Sequence, residues 1–203
     1  MYTTELVESS IARLHGGDAQ ASRDLLRHTR HRIRHIALQM MSKLPEFRRG
    51  ADTDDVVHDA AINLLRSLAD QPPQTSRDFF RLATTNIRQP LIDLTSQYER
   101  VTADAGAATA EDPQLAPTSL MQPEARASHR MGEWRVLHEA AGSLSREVGE
   151  VFDLVFYNGL ALGEAQQVLQ TDRATIRRNW LLARLRLQEQ LDNWDNRHEA
   201  RAR

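Results

Sequence analysis

Cysteine is absent from this 203-residue chain, which excludes disulfides, thiolate nucleophiles and cysteine-ligated zinc. Lysine is nearly absent as well: 25 of the 26 basic residues are arginine, and Lys43 is the exception. Arginine suits bidentate contacts to phosphate and guanine, although a GC-rich genome gives the same bias. No apolar run approaches the roughly 20 residues needed to span a bilayer. The start, Met1-Tyr-Thr-Thr-Glu-Leu6, lacks the basic flank and apolar core of a secretory signal. A cytoplasmic protein with no membrane insertion is expected. The nucleotide, metalloprotease and hydrolase motifs G-x-x-x-x-G-K-[ST], H-E-x-x-H and G-x-S-x-G are also missing. The carboxylate pairs Asp54/Asp55 and Glu150/Asp153 have no partner base in sight, so neither an enzyme nor a cofactor is expected. A net charge of −2 argues against a protein that coats nucleic acid. It leaves local binding open, because screening makes charge placement count more than the sum.

What is there is helical. Apolar residues recur with a period near 3.6, and no alternating strand pattern stands out. Leu6, Val7, Ile11 and Leu14 predict a short helix closed by Gly16-Gly17. Asp18 caps a long one, with Leu25/Leu26, Ile33, Ile36/Ala37, Met40/Met41 and Leu44 inward, ending before Pro45. Thr53 caps a third, whose stripe runs from Val56/Val57 to Leu68 before Pro72-Pro73. Ser76 opens a fourth, with Phe79/Phe80, Ala83, Asn86/Ile87, Leu91 and Leu94 on one side and Pro90 predicting a kink. From Thr102 to about His129 the composition turns to Ala, Thr, Asp, Pro and Gly, as in a flexible linker. A second helical block follows from Glu133. The reading is all-α: two small helical domains, residues 1–100 and 133–203, joined by a linker over 101–132.

The second block holds the most telling segment. Asp172 stands at an N-cap position, and Arg173, Arg177, Arg178, Arg184 and Arg186 follow without an acidic residue up to Gln188. Ile176, Trp180, Ala183 and Leu187 repeat at helical spacing, so one face can be buried while another carries guanidinium groups. With the short helix Leu162–Leu169 before it, this is the layout of a helix-turn-helix reader of the major groove. An ordinary solvated helix is the competing reading. Gln166 occupies the slot where alanine usually lets the two helices cross, and Gln170 the turn slot usually filled by glycine. His28, His31 and His35 share one face of the second helix, yet Arg27, Arg30, Arg32 and Arg34 surround them and disfavour a dication. No metal is expected there.

The order of motifs resembles an RNA polymerase sigma factor of the extracytoplasmic-function (ECF) type. Gly17-Asp18-Ala19 with Leu25-Leu26, the acidic run Asp52-Thr-Asp-Asp-Val-Val-His-Asp-Ala60, and Phe79-Phe-Arg-Leu-Ala-Thr-Thr-Asn86 with Leu91-Ile-Asp-Leu94 resemble region two. Arg146-Glu-Val-Gly-Glu-Val-Phe152, Tyr157-Asn-Gly-Leu160 and Ala183-Arg-Leu-Arg-Leu187 resemble region four. The resemblance implies core RNA polymerase and promoter DNA as partners, and allows an anti-sigma factor. It implies polymerase contacts at Asp55, His58, Asp59, Asn63 and Arg66. The loop Asp70 to Thr75 would hold a flipped base of the minus-ten element, with Asn86 lining its pocket. Phe79, Phe80 and Tyr98 are candidates to stack on single-stranded bases, and Arg81, Arg88 and Arg100 to grip its phosphates. Arg173, Thr175, Arg177 and Arg178 would meet the minus-thirty-five element, with Trp180 assigned to helix packing. From the residues alone, two other readings stay open: a polymerase-independent helix-turn-helix regulator, and a helical adaptor that has lost DNA binding.

Overall fold

A computed structural model describes residues 3–41, 53–110 and 123–201, and every element within them is helical. The helices are α1 (Thr3–His15), α2 (Ala19–Met41), α3 (Thr53–Asp70), α4 (Ser76–Ala110) and α5 (Pro123–Gly142). They continue with α6 (Arg146–Phe152), which runs into a π-helical turn (Asp153–Tyr157), then α7 (Leu162–Leu169) and α8 (Arg173–Arg201). The expected stop before Pro45 and the middle of the expected linker, 111–122, lie outside the described residues. At its edges that stretch is helical, since α4 continues to Ala110 and α5 starts at Pro123. Helix α4 also continues through Pro90, whose missing N–H leaves the Asn86 carbonyl without its helical donor.

Local chemistry accounts for the boundaries. Gly17 takes φ 82° at the end of α1, a left-handed conformation that costs other residues about 1 kcal/mol or more. Asp18 then accepts from the Gln20 N–H (2.8 Å), and Arg13 donates to its other oxygen (2.8 Å). These bonds hold the Asp18 carboxyl below its ordinary range. At the head of α4, Thr75 and Asp78 bond reciprocally: the Asp78 N–H donates to Thr75 Oγ1 (3.1 Å), and that hydroxyl donates to Asp78 Oδ2 (2.8 Å).

Most of the predicted inner faces are buried, from Val7 and Ile11 on α1 to Ala183 and Leu187 on α8, while Leu6 on α1 and Leu65 on α3 face outward. The grouping of these residues was not predicted. One apolar cluster joins Ile33, Ile36, Val57, Ile87 and Leu91 to Met131, Phe152, Tyr157 and Leu187. A second joins Val7, Leu25, Leu64, Phe79 and Phe80 to Leu154, Leu160, Ala165 and Val168. Both clusters draw from both blocks, so the blocks share their cores. Each fully buried Leu, Ile or Phe side chain contributes about 1.5–3 kcal/mol, and part of that here is stabilisation of one block by the other.

Candidate nucleic-acid and polymerase interfaces

The α7–turn–α8 unit is built as its sequence predicts. Glu164 accepts from the Ala161 N–H (2.9 Å), half of a capping box at the start of α7. Gln170 closes α7 at φ 49°, ψ 45°, the one positive-φ residue other than glycine among the described residues. The turn therefore forms with the left-handed geometry its slot demands, at a cost glycine would not incur. Asp172 caps α8: its Oδ1 accepts from the Thr175 N–H (2.9 Å) and its Oδ2 from the Thr175 hydroxyl (2.7 Å). Those bonds lower the Asp172 carboxyl. The Thr175 proton is thus committed to the cap, which leaves only its oxygen lone pairs to face DNA.

Helix α8 has two clear sides. Ile176, Asn179, Ala183 and Leu187 are buried, and Trp180 stacks on Phe152 with ring centroids 5.9 Å apart. Arg173, Arg177, Arg178, Arg184 and Arg186 are exposed, and none makes an ion pair among the described residues. On α7, Ala165 is fully buried in the second apolar cluster, and Gln166 is half-buried. Gln166, four residues before the left-handed Gln170, therefore keeps the slot where an alanine was expected.

On α3, His58, Asp59, Asn63 and Arg66 are exposed on the outer side. Asp59, Asn63 and Arg66 fall at i, i+4 and i+7, one stripe of the helix. Asp55 lies in α3, but its side chain is outside the described residues. Asp54 pairs with Arg34 (2.9 Å).

The candidates on α4 are placed differently. Arg81 and Arg100 are exposed, with Arg81 lightly held by Asp78 (3.5 Å). Asn86 is buried and its Nδ2 donates to the Leu82 carbonyl (2.9 Å), so its amide is engaged within its own helix. Arg88 pairs with Asp153 of the second block, and its guanidinium lies 5.0 Å over the Tyr157 ring. Phe79, Phe80 and Tyr98 are all buried, which corrects their reading as stacking platforms. Apolar burial in the shared core has claimed all three rings. The 70–75 loop is tied to α1 through His15 Nε2 and the Pro73 carbonyl (3.0 Å). With α1 and the end of α7 it borders a cavity of about 540 Å³, whose lining includes Gln74, Thr75, Gln167 and Gln170.

Sequence reasoning missed the residues that join the blocks. Arg32 donates from Nε to the Tyr157 carbonyl (3.2 Å) and from Nη2 to that of Phe156 (2.8 Å). Asn158 donates to Thr84 Oγ1 (2.9 Å) and lies 3.3 Å from the Phe80 carbonyl. Arg77 pairs with Glu150 at the rim (2.5 Å). Gly159, at φ 71°, stands where an added Cβ would meet the Arg32 guanidinium at 2.6 Å. A glycine directly after Tyr157-Asn158 was the one available signal of this crowding. Burial pushes Asp153 up to about 6 despite the pull of Arg88, and pushes His138, 2.8 Å from the Tyr157 hydroxyl, down to about 3.

The histidines of α2 do not converge on a site: His31 and His35 are exposed, while His28 lies against Phe79 and Phe80. Elsewhere His129, Glu133 and Asp195 bring ligand atoms within 4.8 Å of one another. His129 Nε2 is 3.3 Å from Asp195, so the three also fit a simple ion-pair cluster. Among the described residues, no helix is long and apolar enough to cross a membrane.

Comparison with known proteins gives one match. A family model described as "ECF sigma factor" matches residues 4–193, nearly the whole chain. No curated protein and no solved structure matches.

Proposed function

The chain belongs to the ECF sigma factor family, and from that premise we propose that it binds core RNA polymerase and directs it to a two-part promoter. Residues 1–100 supply the polymerase contact and the minus-ten contacts, 101–132 the connection, and 133–203 the minus-thirty-five contacts. The polymerase contact is the outer stripe of α3, with Asp55, His58, Asp59, Asn63 and Arg66. Arg173, Arg177 and Arg178 on α8 read the minus-thirty-five element, with Thr175 contributing its oxygen. Arg81, Arg100, Asn86 and Arg88 serve the minus-ten strand. An anti-sigma factor is the candidate regulator.

The observation that carries this reading is α8: an intact N-cap, a buried apolar side, and an opposite side of unpaired guanidinium groups. A helix N-terminus and bidentate arginines suit phosphate and guanine contacts, each good pair contributing about 1–3 kcal/mol of discrimination. The test is capture of core polymerase by the tagged chain, followed by promoter-dependent transcription with purified components. Failure to bind core polymerase at moderate salt ends the reading. Promoter binding without polymerase affinity would indicate an independent regulator. An activity that survives Arg177→Ala with Arg178→Ala would indicate an adaptor.

A further inference from the structure

The tail of α8 packs on α5 through a tryptophan set against a glycine. An added Cβ at Gly132 would overlap the Trp194 ring, so only glycine leaves room for it there. Trp194 in turn lies between two histidines, its ring centroid 4.7 Å from that of His129 and 5.1 Å from that of His198. This packing brings His129 and Glu133, one turn apart on α5, against Asp195 of α8. The family match ends at residue 193, two residues short of Asp195, and the sigma reading gives these three side chains no role.

Their geometry does not suit an ion pair. His129 Nε2 is 3.3 Å from Asp195 Oδ1 and 3.7 Å from Glu133 Oε1, whereas a charged N–H to carboxylate bond is about 2.7–2.9 Å long. Asp195 Oδ1 is buried, yet it accepts no hydrogen bond among the described residues. A buried carboxylate oxygen in that state lacks the partner its desolvation demands. The same separations do suit a shared metal ion. With bonds of about 2.0–2.2 Å, neighbouring ligand atoms of a tetrahedral ion stand about 3.3–3.6 Å apart. A ligand atom from each of the three residues lies within 4.8 Å of the others, so small side-chain movements complete the arrangement. Two carboxylates and one neutral imidazole also balance a dication in charge.

We propose that His129, Glu133 and Asp195 form a site for one divalent transition-metal ion of the Zn²⁺ class, which fastens the tail of α8 to α5. Three protein ligands leave a fourth position for water. An imidazole among the ligands favours Zn²⁺, Ni²⁺ or Cu²⁺ over Mg²⁺, which prefers oxygen alone.

The test is calorimetric titration of the untagged, chelator-stripped full chain with Zn²⁺ and, separately, with Mg²⁺. One Zn²⁺ per chain is expected, with far weaker uptake of Mg²⁺. His129→Ala and Asp195→Asn should each weaken Zn²⁺ binding by at least the roughly 10–100-fold that loss of a supporting contact costs a metal site. His31→Ala with His35→Ala, on α2, should leave it unchanged. Circular dichroism checks that each variant keeps its helices. A second readout needs no ligand variant: Ni²⁺ bound beside Trp194 should quench its emission, and the quench should disappear in Trp194→Phe. No stoichiometric Zn²⁺ uptake, uptake that survives both ligand variants, or equal uptake of Mg²⁺ overturns the site. Loss of binding in the α2 double variant overturns it as well. None of these outcomes depends on polymerase binding, so the site and the sigma reading stand or fall separately.

Discussion

Arg32 and Arg88 differ from Arg177 and Arg178 only in their surroundings. The first two lie between the blocks, where two carbonyls, a carboxylate and a tyrosine ring receive them. Burial pulls the Arg32 guanidinium below its ordinary value. The second two stand in solvent on α8 with no ion-pair partner among the described residues. A guanidinium held by groups inside the protein must give up those contacts before it can meet an outside partner. One whose donors are free is available to an outside phosphate or base. In this chain both kinds occur in arginine-rich helices, so richness in arginine alone does not locate a binding surface.

The sharpest way to break this contrast is to remove one arginine of each kind. Arg88→Ala should cost about 1–3 kcal/mol of stability, because it leaves the half-buried Asp153 without its partner. Urea melts of Arg88→Ala, Asp153→Asn and the double variant would measure this as a coupling. Additive losses would mean that the pair is not a unit.

The next effect is that of pH. Burial depresses His138 to about 3 and His28 to about 4, against an ordinary value of 6.5. As pH falls from 6.5 towards 4, the unfolded chain takes up two protons that the folded chain refuses. Asp153, raised from 3.8 to about 6, takes one up first in the folded state and so opposes them. The net is one proton, so stability should fall by about 1.4 kcal/mol per unit of acidification between pH 6 and 4. Melts at pH 6 and pH 4.5 check the sign. A protein equally stable at both values would contradict the burial of these histidines.

Arg177→Ala with Arg178→Ala should act on the other side of the contrast. Promoter affinity in the polymerase complex should fall about tenfold or more, while the thermal midpoint stays within a degree or two. A large loss of stability would show that these side chains are structural after all. The smallest effect belongs to the turn between α7 and α8. Gln170→Gly relieves a left-handed conformation and should stabilise the domain by less than about 1 kcal/mol, read as a small rise in midpoint.

Much of the local architecture was legible in advance, because its causes lie within a few residues. Asp18 and Asp172 cap the helices they were expected to cap, Gly17 closes α1, and Gln170 takes the strained turn position. The candidate site was legible only in part. The α8 arginines and the α3 stripe face outward as expected, but Asn86 and Arg88 are turned into the molecule. Phe79 and Phe80 show the limit: an aromatic pair in an apolar stripe suits a core or a platform equally until the neighbours are known.

The chain's own pattern determined that it is helical, where most helices begin and stop, which faces are apolar, and that α8 is capped and basic. Periodicity, caps and turn residues act over one or two turns, so they can be read in order along the chain. Tertiary structure alone decided that the two blocks share their cores, and that Arg32, Arg88 and Asn158 hold them together. Arg32 meets the Phe156 carbonyl across 124 residues. The partner of a buried guanidinium is chosen by which backbone ends a helix beside it, and no spacing along the chain encodes that.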